Sequence, residues 1–300
     1  MRLLTICLVA AIAAALMPGA VRADGAPELA SAVTVDVAIR GNAAVADPGI
    51  SGAWDYNPAG LAALAGMNPA GQQGEWRHAA STLISLNGDP NTFALNWGGV
   101  QTGKDFGLGA GYFKAGDTTV YGAGLGKSWP KQGIAWGVSW HHVNVDSRTD
   151  SVQARSALAG GSDNVFDVGM LGDASHLGIE AIRNVHYGAV VRDVTDEFAR
   201  RLDLGVVFDV AGGVRVAMDL SDLTDQLDRR FRIGATTHVG SKQAWLVGAG
   251  FDQGRPTAGV MYDNATAWQG GAWRFGAAWQ DGQAGESSRI LVGAFANWGL

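Results

Sequence analysis

Cysteine is almost absent from the sequence, since Cys7 is the only one among 300 residues. Cys7 lies within a first segment that we expect to be removed on export, which would leave the remaining chain without a thiol. It also lies too far from the expected cleavage point to be the lipid-modified cysteine of a lipoprotein. A chain without cysteine suits an oxidising compartment, where stray thiols are a liability.

Long hydrophobic runs are also absent beyond the first segment, and no other stretch approaches the roughly 20 apolar residues of a transmembrane helix. Arg2 begins the first segment, residues 3–17 are uncharged and mostly apolar, and Pro18 precedes Val21-Arg22-Ala23. This three-part pattern predicts a secretory signal peptide over residues 1–23. Any insertion of the remaining chain into a membrane would therefore have to use strands.

Positive charge is scarce, because 22 Lys and Arg face 28 Asp and Glu, which gives a formal net charge of −6. Loss of residues 1–23 would remove Arg2 and Arg22 and no acidic residue, and would lower the net charge to −8. Nucleic-acid affinity comes from Lys and Arg that neutralise phosphates. We therefore expect no nucleic-acid partner.

Glycine, in contrast, is abundant: 44 of the 300 residues are glycine, about twice its usual share of roughly 7%. Each glycine costs a helix about 1 kcal/mol relative to alanine, so a helical bundle is disfavoured. The glycines do not recur at every third position, which excludes collagen. A hydrophobic content of 47% argues against disorder. These compositions favour an all-β protein.

From about residue 75 onward, apolar residues alternate with small or charged ones. Successive side chains of a strand point to opposite faces of its sheet, so each segment has one apolar face and one small or charged face. Clear examples alternate Phe106, Leu108, Ala110 and Tyr112 with Gly107, Gly109 and Gly111; Ile134, Trp136, Val138 and Trp140 with Ala135, Gly137 and Ser139; and Leu202, Leu204, Val206 and Phe208 with Asp203, Gly205, Val207 and Asp209.

Turn residues separate these segments, as at Asn87-Gly88-Asp89-Pro90 and Ala211-Gly212-Gly213. We predict about fourteen strands, and at least twelve, each long enough to span a membrane at roughly 9–11 residues. Residues 176–184 are compatible with a strand or with part of a loop. The predicted strand centres fall near residues 80, 96, 109, 122, 137, 168, 189, 205, 216, 234, 247, 259, 274 and 294.

A soluble antiparallel sandwich would show the same alternation, so periodicity alone does not decide the architecture. The apolar faces are rich in aromatic residues near strand ends, as in interfacial girdles. The opposite faces are rich in glycine and charge, which is wrong for a shared sandwich core and right for a polar lumen. The chain also ends in an alternating strand with Trp298 near its end. We therefore predict a transmembrane antiparallel β-barrel over residues 75–300, closed because lipid cannot satisfy a free strand edge.

Residues 24–74 do not continue this alternation and are predicted to form an N-terminal plug. The alternation of Val33, Val35, Val37 and Ile39 predicts one strand there. Residues 58–65 are predicted to form a short helix, because Asn57 is a natural N-cap, Pro58 suits the first helical position and Gly66 suits the end. So short a helix is unstable alone, and the barrel interior is the available place to pack it.

The run ADPGISGAWDYNPAGLAAL resembles the N-terminal signature of FadL-type outer-membrane proteins, which include fatty-acid transporters and the PorV/PorQ-like group. The residues that match its core are Asn57, Pro58, Ala59, Gly60, Leu61 and Ala62. Downstream, the strings YGAVVRDVTD and RLDLG look like later segments of the same family. The resemblance implies a fourteen-stranded barrel whose lumen is plugged by the N-terminal segment. It also implies inward movement of hydrophobic molecules, or a role in protein secretion.

No catalytic machinery is indicated, because the sequence has no nucleophile elbow of the type G-x-S-x-G. His141 and His142 are the best metal candidates, but adjacent strand residues face opposite sides and cannot share one ion. We expect no enzyme activity, no cofactor and no metal. Charged side chains should point inward, because Arg in lipid would cost about 2–4 kcal/mol. The candidate lumen residues, expected to be ion-paired wall residues or to set selectivity, are Arg201, Asp203, Arg215, Asp219, Arg230 and Arg232.

Together these features predict a protein of a Gram-negative outer membrane that passes or captures small hydrophobic molecules, fatty-acid-like or aromatic, through a plugged lumen. Its partners would be outer-membrane lipid and such a ligand. One alternative is a structural or assembly component of a secretion or conjugation system, as in PorV-like proteins. Another is a simple polar porin. The sequence identifies neither a cargo nor a protein partner.

Overall fold

The structure is a computed structural model in which fourteen strands form one closed antiparallel barrel among the residues described. The described residues are 34–49, 51–62, 76–86, 92–101, 105–116, 118–145, 161–175, 182–196, 200–224, 229–240, 244–268, 271–282 and 288–299. The strands are β1 (Trp76–Ser85), β2 (Thr92–Gln101), β3 (Phe106–Ala115), β4 (Thr118–Trp129), β5 (Ile134–Val145), β6 (Gly161–Asp173), β7 (Ile182–Arg192), β8 (Arg201–Val210), β9 (Val214–Ser221), β10 (Arg230–Val239), β11 (Trp245–Asp252), β12 (Arg255–Trp268), β13 (Gly271–Gln280) and β14 (Arg289–Gly299).

Each strand pairs with its neighbours in sequence, and β1 pairs with β14 to close the barrel. The predicted fourteen-stranded antiparallel barrel is therefore confirmed. The part of residues 176–184 that the structure describes begins β7 at Ile182, and residues 176–181 lie outside the description. Below, the terminal end is where β1 begins and β14 ends. The loop end is opposite and carries the longest connection, residues 146–160.

Inner and outer faces alternate along the strands as the sequence predicts. On β5 the outward Trp136 and Val138 are 45% and 43% exposed. The intervening Gly137 and the next inward residue, Ser139, face the lumen, where Ser139 is buried. The apolar faces therefore form the outside of the barrel, and the small or polar faces line its interior.

The lumen is occupied by residues 34–49 and 51–62, called the plug below. The plug contains two short helices, α1 (Val35–Ile39) and α2 (Ala53–Tyr56), and residues 60–62 are also helical. Most of its side chains are buried, which places it inside the barrel as expected. The predicted signal peptide and the remaining part of residues 24–74 lie outside the described residues. No described helix is long and apolar enough to cross a membrane.

The strand predicted around Val35, Val37 and Ile39 is wrong, because this segment is the helix α1. A strand needs a partner edge, and the closed barrel offers none to a chain within its lumen. A helical turn satisfies backbone groups within the segment itself, as in the 3.2 Å bond from Ala38 N–H to the Thr34 carbonyl. Confinement therefore overrides the strand preference of the valines.

The short helix predicted over residues 58–65 is seen in part. Residues 60–62 are helical, Pro58 and Ala59 form a turn, and residues 63–65 lie outside the described part of the chain. The Asn57 Oδ1 accepts a 3.1 Å hydrogen bond from the Ala59 N–H, as an N-cap side chain does.

Candidate functional site: the plugged lumen

Inward-facing glycines receive the plug. The Cβ that an alanine would carry at Gly137 would overlap the Pro58 backbone, and the one at Gly234 would overlap the Arg40 backbone. At Gly250 it would lie 2.7 Å from the Arg40 carbonyl carbon. These approaches explain why so many inward positions carry no side chain. The glycines that contact the plug in this way, called the glycine seat, are Gly107, Gly109, Gly111, Gly122, Gly124, Gly126, Gly137, Gly169, Gly188, Gly205, Gly234, Gly248, Gly250, Gly259 and Gly293.

A buried arginine on β7 holds the end of α2. The Arg192 guanidinium donates to the backbone carbonyls of Asp55 and Tyr56, at 2.7 and 2.9 Å. It also donates to the carboxylates of Asp203 at 2.6 Å and Asp167 at 3.1 Å. The last carbonyls of a helix have no partner within it, so a cation placed there both caps the helix and complements its dipole.

A buried carboxylate on β9 holds the middle of the plug. The Asp219 Oδ2 accepts hydrogen bonds from the backbone N–H groups of Ala44 at 2.5 Å and Val45 at 2.9 Å. Nearby, Asn42 donates a 2.8 Å hydrogen bond to Asp252. Arg232 donates a 3.2 Å hydrogen bond to the other oxygen of the Asp252 carboxylate. Backbone polar groups that the helices leave unpaired are thus satisfied by the barrel wall.

A third contact is an ion-pair chain between the plug and β9. The Asp47 carboxylate lies 2.6 Å from Arg40, within the plug, and 2.9 Å from Arg215 of the wall. Arg215 also contacts Asp209 of β8 at 3.3 Å. Burial alone would raise the pKa of Asp47, but the two guanidinium groups outweigh it and hold the pKa at about 2.

All six residues predicted to line the lumen lie on its inner face, and most of them contact the plug or a wall partner. Arg201 lies 3.9 Å from Asp203, and Arg230 lies half-buried at the loop end of β10. Whether any of them sets selectivity stays a prediction. The sequence reasoning missed Arg192, Asp167 and Asp252 as wall residues. The inward register of Gly188, Val190 and Arg192 on β7 was a signal that could have identified the first of them.

Two hairpin loops at the loop end repeat one motif, Asp-Val-Thr-Asp after β7 and Asp-Leu-Thr-Asp after β9. The first Asp of each loop donates its backbone N–H to a wall carboxylate: Asp193 to Asp167 and Asp222 to Asp203, both at 2.9 Å. The carboxylates that pair with Arg192 therefore also fix these two loops. The recurrence of the motif along the chain is visible in the sequence, but its wall partners are not.

The two adjacent histidines point to opposite sides of β5, as predicted. His141 lies in the lumen, 3.9 Å from Asp55 and 3.5 Å from Asp167, with its ring 5.4 Å from that of Trp54. His142 lies outside, stacked on Tyr121. No group of three metal-ligating side chains is found among the residues described.

Asp55 is the plug carboxyl most affected by enclosure. Burial raises the pKa of Asp55, and the nearby His141 and Arg192 offset this rise only in part. One of its carboxylate oxygens, Oδ2, is buried without a hydrogen-bond partner. The ionised form of Asp55 is therefore disfavoured in the folded protein.

Because the ionised form of Asp55 is disfavoured, we predict that Asp55→Asn changes the stability of the protein in a pH-dependent way. A carboxyl whose pKa is raised on folding contributes most to stability below its unfolded pKa of about 3.9, and the contribution declines as the pH rises through the folded pKa. The neutral amide should therefore raise the midpoint of thermal unfolding by a few degrees at pH 8 and change it little at pH 4. Unfolding of detergent-solubilised protein at both pH values measures this.

Asp47→Asn is the matched control, because the pKa of about 2 leaves Asp47 charged at pH 4 and pH 8 alike. That substitution should lower the unfolding midpoint at both pH values. A wild-type protein more stable than Asp55→Asn at pH 8 would contradict the assigned environment of Asp55.

The other half of the lumen is apolar at the loop end. Inward side chains from six neighbouring strands pack there against α1, Trp54 and Tyr56, and all of them are buried. Together they form the apolar wall: Leu83, Ala94, Phe113, Val120, Val143 and Leu291. The charged wall residues described above come from β6–β11, so the lumen has an apolar side and a charged side.

Comparison with known proteins supports the architecture. No protein-family model matches the sequence, and no curated protein matches it. The Ralstonia pickettii toluene transporter TbuX is similar over 91% of this chain and 98% of that chain, with a TM-score of 0.51 at 13% identity. This likeness shows the fold. The Pseudomonas putida toluene transporter TodX is similar over 85% of this chain and 97% of that chain, with a TM-score of 0.42 at 11% identity. Membership of the FadL-type family stays a prediction.

Proposed function

We propose that this protein is an outer-membrane barrel that captures small hydrophobic molecules at its loop end and passes them through the lumen when the plug rearranges. The apolar wall carries the proposal. A water-filled porin has a polar interior, whereas here six neighbouring strands each place an aliphatic or aromatic side chain on the inner face near the lumen mouth. Such a surface binds an apolar ligand by removing its area from water.

The outer face supports the membrane location. Large apolar side chains such as Leu125, Trp136, Phe166, Val260 and Phe275 are exposed on the outside of the barrel. A closed barrel leaves no strand edge unpaired, which is the condition for spanning lipid with strands. Short connections at one end and longer ones at the other are typical of outer-membrane barrels.

The contacts of the plug suggest how it moves. On the charged side it is held by hydrogen bonds to Arg192 and Asp219. On the apolar side it packs against aliphatic and aromatic side chains of the wall, and the Trp54 indole donates a 2.9 Å hydrogen bond to Asn96. A ligand that enters beside Phe113 can replace plug contacts with its own, while the charged side keeps the plug attached. Movement of α2 away from the apolar wall would open the path.

The test is uptake by protein reconstituted in lipid vesicles, with toluene and a long-chain fatty acid as labelled ligands. TbuX, a toluene transporter of the same fold, makes a monoaromatic hydrocarbon the first ligand to use. Val143→Thr keeps the side-chain shape and adds a hydroxyl to the apolar wall. Burying a hydroxyl there without a hydrogen-bond partner costs about 1–3 kcal/mol. We expect uptake to fall several-fold.

Val138→Thr on the same strand is the control, because its side chain points outward and is 43% exposed. Its uptake should equal that of the wild type. Deletion of residues 57–66 should change the uptake rate, since the Asn57 turn and the helix after it belong to the plug. Equal uptake by wild type, Val143→Thr and the deletion would contradict transport and favour an assembly role.

A further inference from the structure

The outer face of the barrel is apolar at the loop end of most strands, but one sector is polar. Apolar side chains occupy the loop-end outward positions of several strands: Leu202, Leu220, Phe231, Phe251 and Ile290. On β3–β6 the corresponding positions form two cross-strand rows. The first row is Lys114, Thr119, Asn144 and Ser162, and the second is Tyr112, Tyr121, His142 and Asn164. These two rows are called the polar ledge.

The polar ledge is organised by its own contacts. The ring of His142 stacks on Tyr121 with centroids 5.0 Å apart. The Asn164 Oδ1 accepts a 3.0 Å hydrogen bond from the Trp140 indole and lies 3.2 Å from the His142 Nδ1. Lys114 stands at the edge of the ledge with its side chain exposed. The ledge therefore presents a cation, amides, hydroxyls and aromatic rings together on a surface that faces lipid.

The height of the ledge is unusual for polar groups. Lys127, near the terminal end of β4, also points outward. Tyr121, in the second row of the ledge, precedes Lys127 by six residues and lies closer to the loop end. At about 3.3 Å per residue and a tilt near 40°, six residues rise roughly 15 Å, whereas the apolar band of such barrels is about 25 Å tall. Relative to Lys127, the second row of the ledge thus lies within the height of such an apolar band, at a strand position where β8 carries the exposed Leu204.

A shallow trough lies directly below the ledge. The next outward row places Ala110 and Ala123 side by side, with Trp97 on one flank and Trp140 on the other. Two methyl side chains between two indoles leave a low area on the outer face, and Leu108 and Leu125 bound it in the next outward row. The strands that carry the two indoles are three strand spacings apart, about 14 Å, which leaves room for an acyl chain over the alanines.

We propose that the polar ledge binds the phosphorylated sugar head group of an outer-leaflet glycolipid, with an acyl chain in the trough between Trp97 and Trp140. Lys114 contacts the phosphate, because it is the cation of the ledge. The amides of Asn144 and Asn164 bind sugar hydroxyls, and Tyr112 and Tyr121 lie at the boundary between sugar and acyl chain. This inference rests on the proposed membrane location and is independent of the proposed cargo.

The test is native mass spectrometry of the full protein in detergent, titrated with a bisphosphorylated, acylated glucosamine disaccharide and separately with phosphatidylethanolamine. The wild type should retain the glycolipid in preference to phosphatidylethanolamine, and inorganic phosphate should not displace it. Lys114→Gln combined with Asn164→Ala should reduce the retained glycolipid at least five-fold. Lys127→Gln is the matched control, since it removes the same charge from the outer face at the other end, and it should retain the glycolipid as the wild type does.

Equal retention by all variants would overturn the proposal, and so would an equal loss from both lysine variants. Displacement by inorganic phosphate would assign the site to free phosphate. A dimer that Lys114→Gln abolishes would assign the ledge to contact between two copies of this chain. Hydrocarbon uptake by the ledge variant should equal that of the wild type, so failure of the lipid site and failure of transport are distinguishable.

Discussion

Gly137→Ala is expected to expel part of the plug and open the lumen. The added Cβ would overlap the backbone of Pro58 and Ala59, neither of which can rotate away as a side chain could. The strand itself should tolerate alanine, because the cross-strand neighbours Gly126 and Gly169 carry no side chains. The barrel should stay closed while the turn at Asn57 leaves its place. We expect single-channel conductance in planar bilayers to rise several-fold and the plug to become sensitive to protease.

Gly124→Ala is the matched control for this substitution. Gly124 also belongs to the glycine seat, but the nearest atom to its added Cβ is the Leu61 Cδ1, at 3.0 Å. A side-chain terminus can shift by a few tenths of an ångström, so the plug should remain seated and conductance should stay low.

A second background separates loss of the plug from loss of the barrel. In a protein that lacks residues 34–62, Gly137→Ala should not change the thermal unfolding of the barrel, because the clash partner is gone. If the substitution lowered barrel stability equally with and without the plug, the glycine would serve the strand and the glycine seat would have no role.

The strands could be predicted because a closed barrel obeys one rule at every position. Lipid contact outside and a packed lumen inside impose a period of two, and glycine or charge at many inward positions makes the alternation recognisable in strands such as Phe106–Ala115 and Arg201–Val210. Composition could not show which plug atoms pack against the glycines of the inward face. Gly107 and Gly137 look alike in sequence, yet one faces the Leu61 carbonyl and the other faces Pro58.

The plug could be predicted as a segment but not in its conformation. Val35, Val37 and Ile39 alternate as a strand would, and nothing local opposes that interpretation. The missing information was the surroundings: a segment enclosed by a barrel without free edges satisfies its backbone by helical turns. A local pattern therefore failed where tertiary confinement decided the structure.

The charged residues show a similar limit. Alternation predicts an inward position for Arg201, Asp203 and Asp219, and in the structure these residues contact wall or plug groups. It cannot tell that Asp219 binds two backbone N–H groups of the plug, since those donors are remote in sequence. Two of the predicted lumen residues, Arg215 and Asp219, contact the plug, which alternation alone does not reveal.

Arg192→Met is expected to lower the stability of the plugged protein more than any other loss of a single wall charge. The substitution leaves the carboxylates of Asp203 and Asp167 buried without their cation, and leaves the last carbonyls of α2 without a donor. Removal of one partner from a buried, hydrogen-bonded ion pair costs about 3–5 kcal/mol. Urea unfolding of detergent-solubilised protein should show this loss, and the plug should become sensitive to protease at lower urea.

Arg201→Met provides the comparison, because Arg201 lies 3.9 Å from the same Asp203 carboxylate. A separation of 3.9 Å is too long for the charge-assisted hydrogen bond that Arg192 makes at 2.6 Å, so its effect should be several times smaller. Adding Asp203→Asn to Arg192→Met should recover part of the loss, because the amide removes the uncompensated charge. Without such recovery, the stabilising contact of Arg192 would be with the α2 carbonyls alone, and the wall carboxylates would serve the loops at Asp193 and Asp222.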